Sequence, residues 1–569
     1  MLDKIWEYKN ENLDRKDIDK FAKSCRISPA VAVILMNRGI TDEKAALSFL
    51  KKGLDGVHDP FLLNDMEEAV TRILAAVSAQ EKITVYGDYD ADGVTSTAVL
   101  YGFLKKIGAN ADYFLPDRFK DGYGLNISAI NRITRNGTKL MITVDCGITS
   151  VGEVEFAKTQ GLDVIITDHH TCKETLPRAV AVINPKRPDS TYPFRELAGV
   201  GVAFNLVLAA AVRMGYSSKE IFFEYADLAA IGTIADVVPL LDENRVIASR
   251  GISLIAEGKN IGVRALLEVS GAGERPTDST TVAFMIAPRL NAAGRLEHAN
   301  IAEQLLIETD SAKAFETASY LNDTNKRRQK TEQQIFEEAL SQAMSFEKEQ
   351  YVYVLAHEGW HHGVIGIVAS RICEHFYRPC ILISCEDGKA KGSGRSIEEL
   401  NLFDALSDSD DLLSAFGGHA QAAGLSLPVD KIDEFRTRIN AYAKKMLEGK
   451  ILLPKIKLDC RLSPANITLS AAKTVASLEP FGCGNEMPVF SLSGAVISQI
   501  AAMGADGRHL RMRLSCGGYS FNAVGFGMGD LCKSFSAGDT VSIAFCMSVN
   551  SYQGGETLQL MLKDIKKYD

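Results

Sequence analysis

Between residues 80 and 240, short apolar runs alternate with helical stretches, and this alternation limits the fold more than any other feature of the chain. The runs cover 83–85, 112–115, 140–144, 164–167 and 181–183, each rich in Ile, Val or Leu. Buried runs of this length, separated by helices, predict a parallel sheet with helices on both faces. In such sheets ligands bind outside the carboxyl ends of the strands.

Those ends carry acids. The first run is followed by Gly87-Asp88-Tyr89-Asp90-Ala91-Asp92-Gly93, then by an apolar helical stretch from Ser96 to Leu104. One carboxylate pair at about 4 Å costs roughly 4 kcal/mol at an effective dielectric of 20. Protonation or a cation must relieve that repulsion, and a hard divalent metal suits oxygen donors. A solvated acidic loop is the competing reading. An EF-hand is excluded, because its twelfth position would be Val99 and a strand precedes the loop.

Other runs end the same way. The third is followed by Asp145-Cys146-Gly147 and the fourth by Asp168-His169-His170. A helical stretch from Ala226 runs into Asp236. A single Asp after a strand is more often a helix cap than a ligand. Together, six carboxylates and two imidazoles suit two Mn²⁺-like ions roughly 3.5–4 Å apart, with Asp145 placed to bridge them. Zinc is disfavoured, because no Cys–His cluster has the spacing for it.

The net charge of −9 argues against a generally basic nucleic-acid coat and leaves room for a local basic groove. No run of 18 apolar residues occurs, so no membrane helix is expected. The polar start, Met1-Leu2-Asp3-Lys4, and eleven scattered cysteines without a C-x-x-C pair lead us to expect a reduced, cytoplasmic protein.

Five segments are expected: an N-terminal helical region over 1–78, a catalytic α/β domain over 79–310, a connecting helix over 311–347, a smaller α/β domain over 348–450 and a β-rich domain over 453–569. Arg289 and Arg295 flank a stretch of small residues, read here as a loop. They are surface arginines or clamps on phosphate oxygens. The basic stretch Lys326-Arg327-Arg328-Gln329-Lys330 is a solvated helix face or a contact for a nucleic-acid backbone. In the second domain, Gly392-Ser393-Gly394-Arg395-Ser396 and Gly417-Gly418-His419 are glycine-rich and read here as loops, and we expect a phosphate and nucleotide pocket there. The last domain alternates like a small β-barrel. Arg508, Arg511 and Arg513, with Tyr519 and Phe521, offer charge and stacking to a single strand, although aromatics in a barrel also serve as core.

The ordered set of motifs resembles the DHH phosphoesterase superfamily, and within it the branch of single-strand-specific 5′→3′ exonucleases. The motifs include 87–93, Val144-Asp145-Cys146-Gly147, Asp168-His169-His170, Ala235-Asp236, Pro288 to Arg295, Gly359 to Ser370, Gly392 to Ser396, Gly417 to Gly424 and Glu479 to Asn485. The resemblance covers nearly the whole chain. It implies a parallel-sheet DHH domain, a smaller α/β DHHA1 domain facing it across a cleft, and a C-terminal OB-fold. It implies metal roles for Asp90, Asp92, Asp145, His169 and Asp236, with catalytic Asp88 and His170 among or beside them. His361, Ser393, Arg395, Ser396, Gly418 and His419, with Arg289 and Arg295, fall to substrate binding.

Two departures stand out. Several relatives place a metal-binding His four residues before the middle aspartate, where this chain has Tyr86; His362 stands where relatives often have Pro. The implied activity is removal of mononucleotides from the 5′ end of single-stranded DNA with two Mn²⁺ or Mg²⁺ ions, in recombination and repair. The implied partners are single-stranded DNA, a single-strand-binding protein and a helicase, with the chain a monomer. The alternatives are hydrolysis of a small phosphoester (a cyclic dinucleotide, short RNA or pyrophosphate) and a non-catalytic single-strand binder, against which the intact acidic set argues.

Overall fold

The computed structural model describes residues 3–118, 124–273, 276–386, 388–504, 506–552 and 555–568, and all counts of elements refer to these residues. The chain divides into two compact units. One holds 6–294, 298–319 and 457–569; the other holds 1–5, 295–297 and 320–456.

The first unit is built on a five-stranded sheet in the order Ala111–Phe114, Ile83–Tyr86, Leu140–Val144, Asp163–Thr167, Ala181–Ile183. Every neighbouring pair is parallel. The three central strands are buried almost throughout, as their unbroken apolar sequences require. All strands therefore end on one edge, which is where the acidic tripeptides and loops of the sequence lie.

The same unit contains a β-barrel. Phe490–Met503 pairs with His509–Cys516 on one side and with Thr540–Tyr552 on the other. Register shifts between Leu492 and Ala495 and between Ile497 and Gln499 bend this strand enough to serve both neighbours, and so the sheet closes. The N-terminal helices have no core of their own. Phe21, Ile34, Leu35 and Phe49 share one hydrophobic cluster with Phe490, Leu514 and Phe545 of the barrel. A short strand, Ile5–Tyr8, precedes those helices.

The second unit holds a five-stranded sheet in the order Ala415–Gly418, Ala422–Pro428, Lys389–Arg395, Cys380–Glu386, Tyr353–Glu358. Only the Tyr353–Glu358 and Cys380–Glu386 pair is parallel. The helix Ser311–Met344 is continuous over 34 residues, as its lack of Gly and Pro predicts.

Two local expectations are corrected here. The glycine-rich stretches at 392–395 and 417–418 are paired strands rather than loops. Glycine there leaves room for neighbours: a Cβ on Gly394 would lie 2.8 Å from Leu402 Cδ2. The small-residue stretch around Arg289 is the helix Ala287–Leu296, in which Pro288 stands in the first turn directly after the π-helical turn Val282–Ile286, and three alanines, strong helix formers, offset Gly294. All eleven cysteines are free thiols. No helix among the described residues is long and apolar enough to cross a membrane.

Candidate metal centre

The acidic edge of the parallel sheet is assembled from four separate segments, 88–92, 145, 168–170 and 236. Asp88 and Asp90 lie in the loop between strand Ile83–Tyr86 and helix Ala91–Lys106, and Asp90 caps that helix by accepting from Asp92 N (2.9 Å) and Gly93 N (3.0 Å). Asp92 turns inward to the start of helix Gly199–Arg213, where Gly199 N (2.7 Å) and Val200 N (2.8 Å) donate to its two oxygens. The positive end of that helix stabilises the carboxylate. Asp145 follows strand Leu140–Val144 with φ +61°, a left-handed conformation that Asp tolerates better than most residues. Asp236 caps the C-terminus of helix Ser218–Ala235.

Asp168 is the internal brace of the Asp-His-His tripeptide. Its Oδ1 accepts from His169 N (2.7 Å), His170 N (3.0 Å) and His170 Nδ1 (2.7 Å), while Oδ2 accepts from Ile148 N (2.9 Å). This leaves both imidazoles directed by one buried carboxylate. It also explains why Asp168 itself belongs to none of the donor sets.

Three overlapping sets of donor atoms result, each within 4.8 Å: Asp88, Asp90 and Asp145; Asp92, His169 and Asp236; and Asp145, His169 and His170. Asp145 and His169 each belong to two sets. His169 Nε2 lies 3.2 Å from Asp145 Oδ1, 3.6 Å from Asp236 Oδ2 and 3.9 Å from Asp92 Oδ2. None of these contacts closes a hydrogen bond. Asp88 Oδ1, Asp145 Oδ1 and both ring nitrogens of His169 are buried without a hydrogen-bond partner. The Leu197 backbone, beside the His169 ring, weakly favours its protonated form. Buried donors left unpaired in one place are costly, and a metal ion satisfies them together. The residues present therefore fit divalent cations of the oxygen- and imidazole-binding kind.

The electrostatics agree. Burial first, and neighbouring carboxylates second, raise the carboxyl of Asp88 to about 8 and that of Asp236 to about 7. The same causes push Asp92 and Asp145 well above the usual carboxylate range. Burial and the charge of His170 hold His169 down at about 3, so it stays neutral and keeps a lone pair for a ligand role. Burial would also lower His170, but the hydrogen bond and charge of Asp168 outweigh it and raise the ring to about 9.

Tyr86 does not enter this centre. Its ring is buried, lies 5.3 Å from that of Phe114, and its hydroxyl donates to the Gly124 carbonyl at 2.9 Å. It completes the core under the sheet, and the donor sets form without it.

Several residues at the site escape a reading of the sequence. A Cβ on Gly199 would lie 2.4 Å from Asp145 Oδ1, and one on Gly232 would lie 2.8 Å from Asp92 Oδ1. Both helices touch the centre because they carry glycine there. Arg118 stacks over Tyr89 at 5.1 Å, and its charge favours the ionised form of Asp88. Asn291 Oδ1 accepts from Ala91 N at 2.9 Å and fixes the start of the helix that carries Asp92. The one sequence signal for these positions is Gly199-Val200-Gly201 opening an apolar helix.

Of the expected substrate residues in the second unit, four gather at the start of helix His362–Phe376. His361 caps it by accepting from Gly363 N (3.2 Å), and Arg295 donates to Gly363 O (3.2 Å). Gly366 is close against Ser393 and Arg395, and Arg395 donates to Ser393 Oγ at 3.3 Å. Ser396 turns its hydroxyl to Leu400 O at 2.7 Å. Gly418 and exposed His419 lie at the edge of the sheet, where Gly418 reaches the Gly394 register only across Ala423. Arg289, in the first unit, is buried and donates to Met285 O at 2.6 Å. On the barrel, Arg511 and Arg513 point outward from a strand whose Leu510, Met512 and Leu514 point in, and Arg508 pairs with Asp506 at 3.5 Å. Tyr519 is exposed while Phe521 is core.

A parallel sheet with this acidic edge, a second α/β unit and a closed barrel define a DHH-type protein. Residues 82–233 match the DHH family, N-terminal domain; residues 348–445 match the DHHA1 domain; and residues 458–564 match the RecJ OB domain. The chain is 41% identical over 561 residues to the single-stranded-DNA-specific exonuclease RecJ of Bacillus subtilis, covering 98% of this chain and 70% of that one. It is 35% identical to the Escherichia coli protein of the same name, covering 97% and 98% of the two chains. The crystal structure of RecJ in complex with Mn²⁺ from Thermus thermophilus superposes with a TM-score of 0.85 at 32% identity, covering 99% of this chain and 80% of that one. The chain belongs to the RecJ family.

Proposed function

We propose that this chain is a divalent-metal-dependent exonuclease that degrades single-stranded DNA in the 5′→3′ direction to mononucleotides, in DNA recombination and repair. The carrying observation is the set of buried, unpaired donor atoms on Asp88, Asp145 and His169 at the carboxyl edge of the sheet. The relatives described above are single-stranded-DNA-specific exonucleases by name, and one of them has been crystallised with Mn²⁺.

Asp92, His169 and Asp236 would hold one ion and Asp88 and Asp90 a second, with Asp145 shared. Two Mn²⁺ or Mg²⁺ ions supply a nucleophile drawn from water at neutral pH and Lewis acidity at the attacked phosphate. The chain's own groups do the rest. His170, held protonated by Asp168, donates a hydrogen bond to a phosphate oxygen or to the departing oxygen. Arg118 offers a second positive charge beside Asp88. Arg395 and Ser393, with His361, Arg295 and His419, bind the phosphate of the terminal nucleotide. Arg511 and Arg513 follow the strand backbone along the barrel. We assign catalysis to 79–310, the bridge to 311–347, nucleotide binding to 348–450 and strand binding to 453–569. The protein works as a cytoplasmic monomer on strands exposed by a helicase and coated by a single-strand-binding protein.

Digestion of a single-stranded oligonucleotide labelled at its 5′ end, with Mn²⁺, tests this. Labelled mononucleotide should appear from the first time points, and duplex should resist. A ladder of shortened labelled strands, or no digestion beside rapid cleavage of a cyclic dinucleotide, would overturn it.

A further inference from the structure

The sequence motif from Glu479 to Asn485 has no place in the chemistry above, yet it is held on several sides by the catalytic domain. Arg245, fully buried, donates to Leu478 O (2.8 Å) and Glu479 O (3.1 Å). Ser279 Oγ donates to Phe481 O at 2.6 Å. The loop also closes on itself: Gly482 and Asn485 exchange backbone hydrogen bonds at 3.0 and 3.1 Å, and the buried Asn485 amide donates to Leu478 O and Pro480 O. It is a rigid object, not a tether to the barrel.

What this object touches is the segment that follows a metal-site carboxylate. After Asp236 the chain turns through Val237 at φ +61°, a strained conformation for a β-branched residue that is also exposed. Such a turn persists only where its surroundings hold it. Leu240 N donates to Cys483 O at 2.8 Å. Gly482 lies against Leu240, where a Cβ would come within 2.7 Å of Cδ1. Gly484, at φ +70°, fits against Pro239 and Leu241. The Ser279 contact reaches the other wall of the site. Ser279 opens the continuous helical stretch that carries Asn291, and Asn291 accepts from Ala91 N beside Asp90 and Asp92.

We infer that the 479–485 loop is a positioning element of the metal centre, acting through Leu240 on Asp236 and through Ser279 on the Asp90–Asp92 turn. It contributes no ligand. It sets the spacing of ligands on the two walls, and it ties that spacing to the entry of the barrel. The inference rests on the reading of these acids as a metal site, and direct metal binding separates its failure from failure of the proposed activity.

The test is Mn²⁺ titration of the full chain without DNA, followed by the electron paramagnetic resonance of free Mn²⁺. Gly482→Ala should weaken one Mn²⁺ site about tenfold, in the range of changes behind metal ligands. It should lower kcat with KM for single-stranded DNA little changed. Adding Leu240→Ala should remove the effect, so that the double variant binds Mn²⁺ as Leu240→Ala alone does. Ser279→Ala, which deletes one hydrogen bond and leaves the backbone alone, should weaken Mn²⁺ binding about threefold, the scale of one lost hydrogen bond. Unchanged Mn²⁺ affinity in both Gly482→Ala and Ser279→Ala, or a loss that Leu240→Ala does not relieve, overturns the inference.

Discussion

At Gly93, beside the acids of the 87–93 loop, glycine makes room for backbone, whereas in the strand Lys389–Arg395 it makes room for side chains. A Cβ on Gly93 would lie 2.6 Å from the Asp88 carbonyl oxygen. A Cβ on Gly392 would meet Leu425 Cγ at 3.0 Å, and one on Gly394 would meet Leu402 Cδ2. The Asp88 backbone has nowhere to move, while a leucine can change rotamer. The first region is therefore tuned for geometry and the second for packing.

The largest expected effect is at the shared carboxylate. Asp145→Ala should lower turnover by more than about 10³-fold, since transition-state stabilisation by the ions supplies several kcal/mol. Single-strand binding, followed by fluorescence anisotropy, should stay nearly constant. Gly199→Ala comes next. Its new methyl would press on Asp145 Oδ1, and a displacement of about 1 Å is worth roughly 10²-fold in rate. Gel digestion assays check both; near-normal turnover in Gly199→Ala would remove the claim that the metal edge tolerates no added atom.

Smaller effects belong to the second region. Arg395→Ala should raise KM for 5′-phosphorylated single strands about tenfold, as loss of a charge-assisted phosphate contact does, with kcat less affected. Gly394→Ala should cost about 1–3 kcal/mol of stability through overpacking against Leu402 and leave Mn²⁺ affinity unchanged. Denaturant unfolding and Mn²⁺ titration report the two halves of that expectation. A change in metal affinity there would erase the contrast.

The pH dependence probes the metal edge alone. Without metal, folded Asp88 and Asp236 keep protons up to about 8 and about 7, and the unfolded chain releases them near 4. The folded state then binds more protons between these values, so the stability these groups contribute is full below about pH 4 and is lost as the pH rises through 7 to 8. Mn²⁺ takes the place of those protons. The rise in Tm on adding Mn²⁺ should therefore be larger at about pH 8.5 than at about pH 6.

Much of this is legible in the sequence. The strand-end acids are visible because a parallel sheet brings all strand ends to one edge, so Asp88, Asp145 and His169 could be grouped from local pattern alone. Gly199 and Gly232 were not visible, since a helical glycine signals space without naming what fills it. Arg118 was hidden for a similar reason: it lies in the non-helical stretch after strand Ala111–Phe114, and nothing in the sequence links it to Tyr89. The strand Lys389–Arg395 does not read as a strand because three of its seven residues are glycine or serine, which erases the apolar alternation that marks strands. Tyr86 looked like a substituted ligand only while its ring had no other destination.

The most direct measurement is the number of Mn²⁺ ions bound per chain in the absence of DNA, for the wild-type chain and for Asp145→Ala. Two ions in the wild type, with binding at both sites weakened by the single substitution, are the predicted result. One ion or none in the wild type, or unchanged binding in Asp145→Ala, would contradict a two-ion centre organised around the shared Asp145.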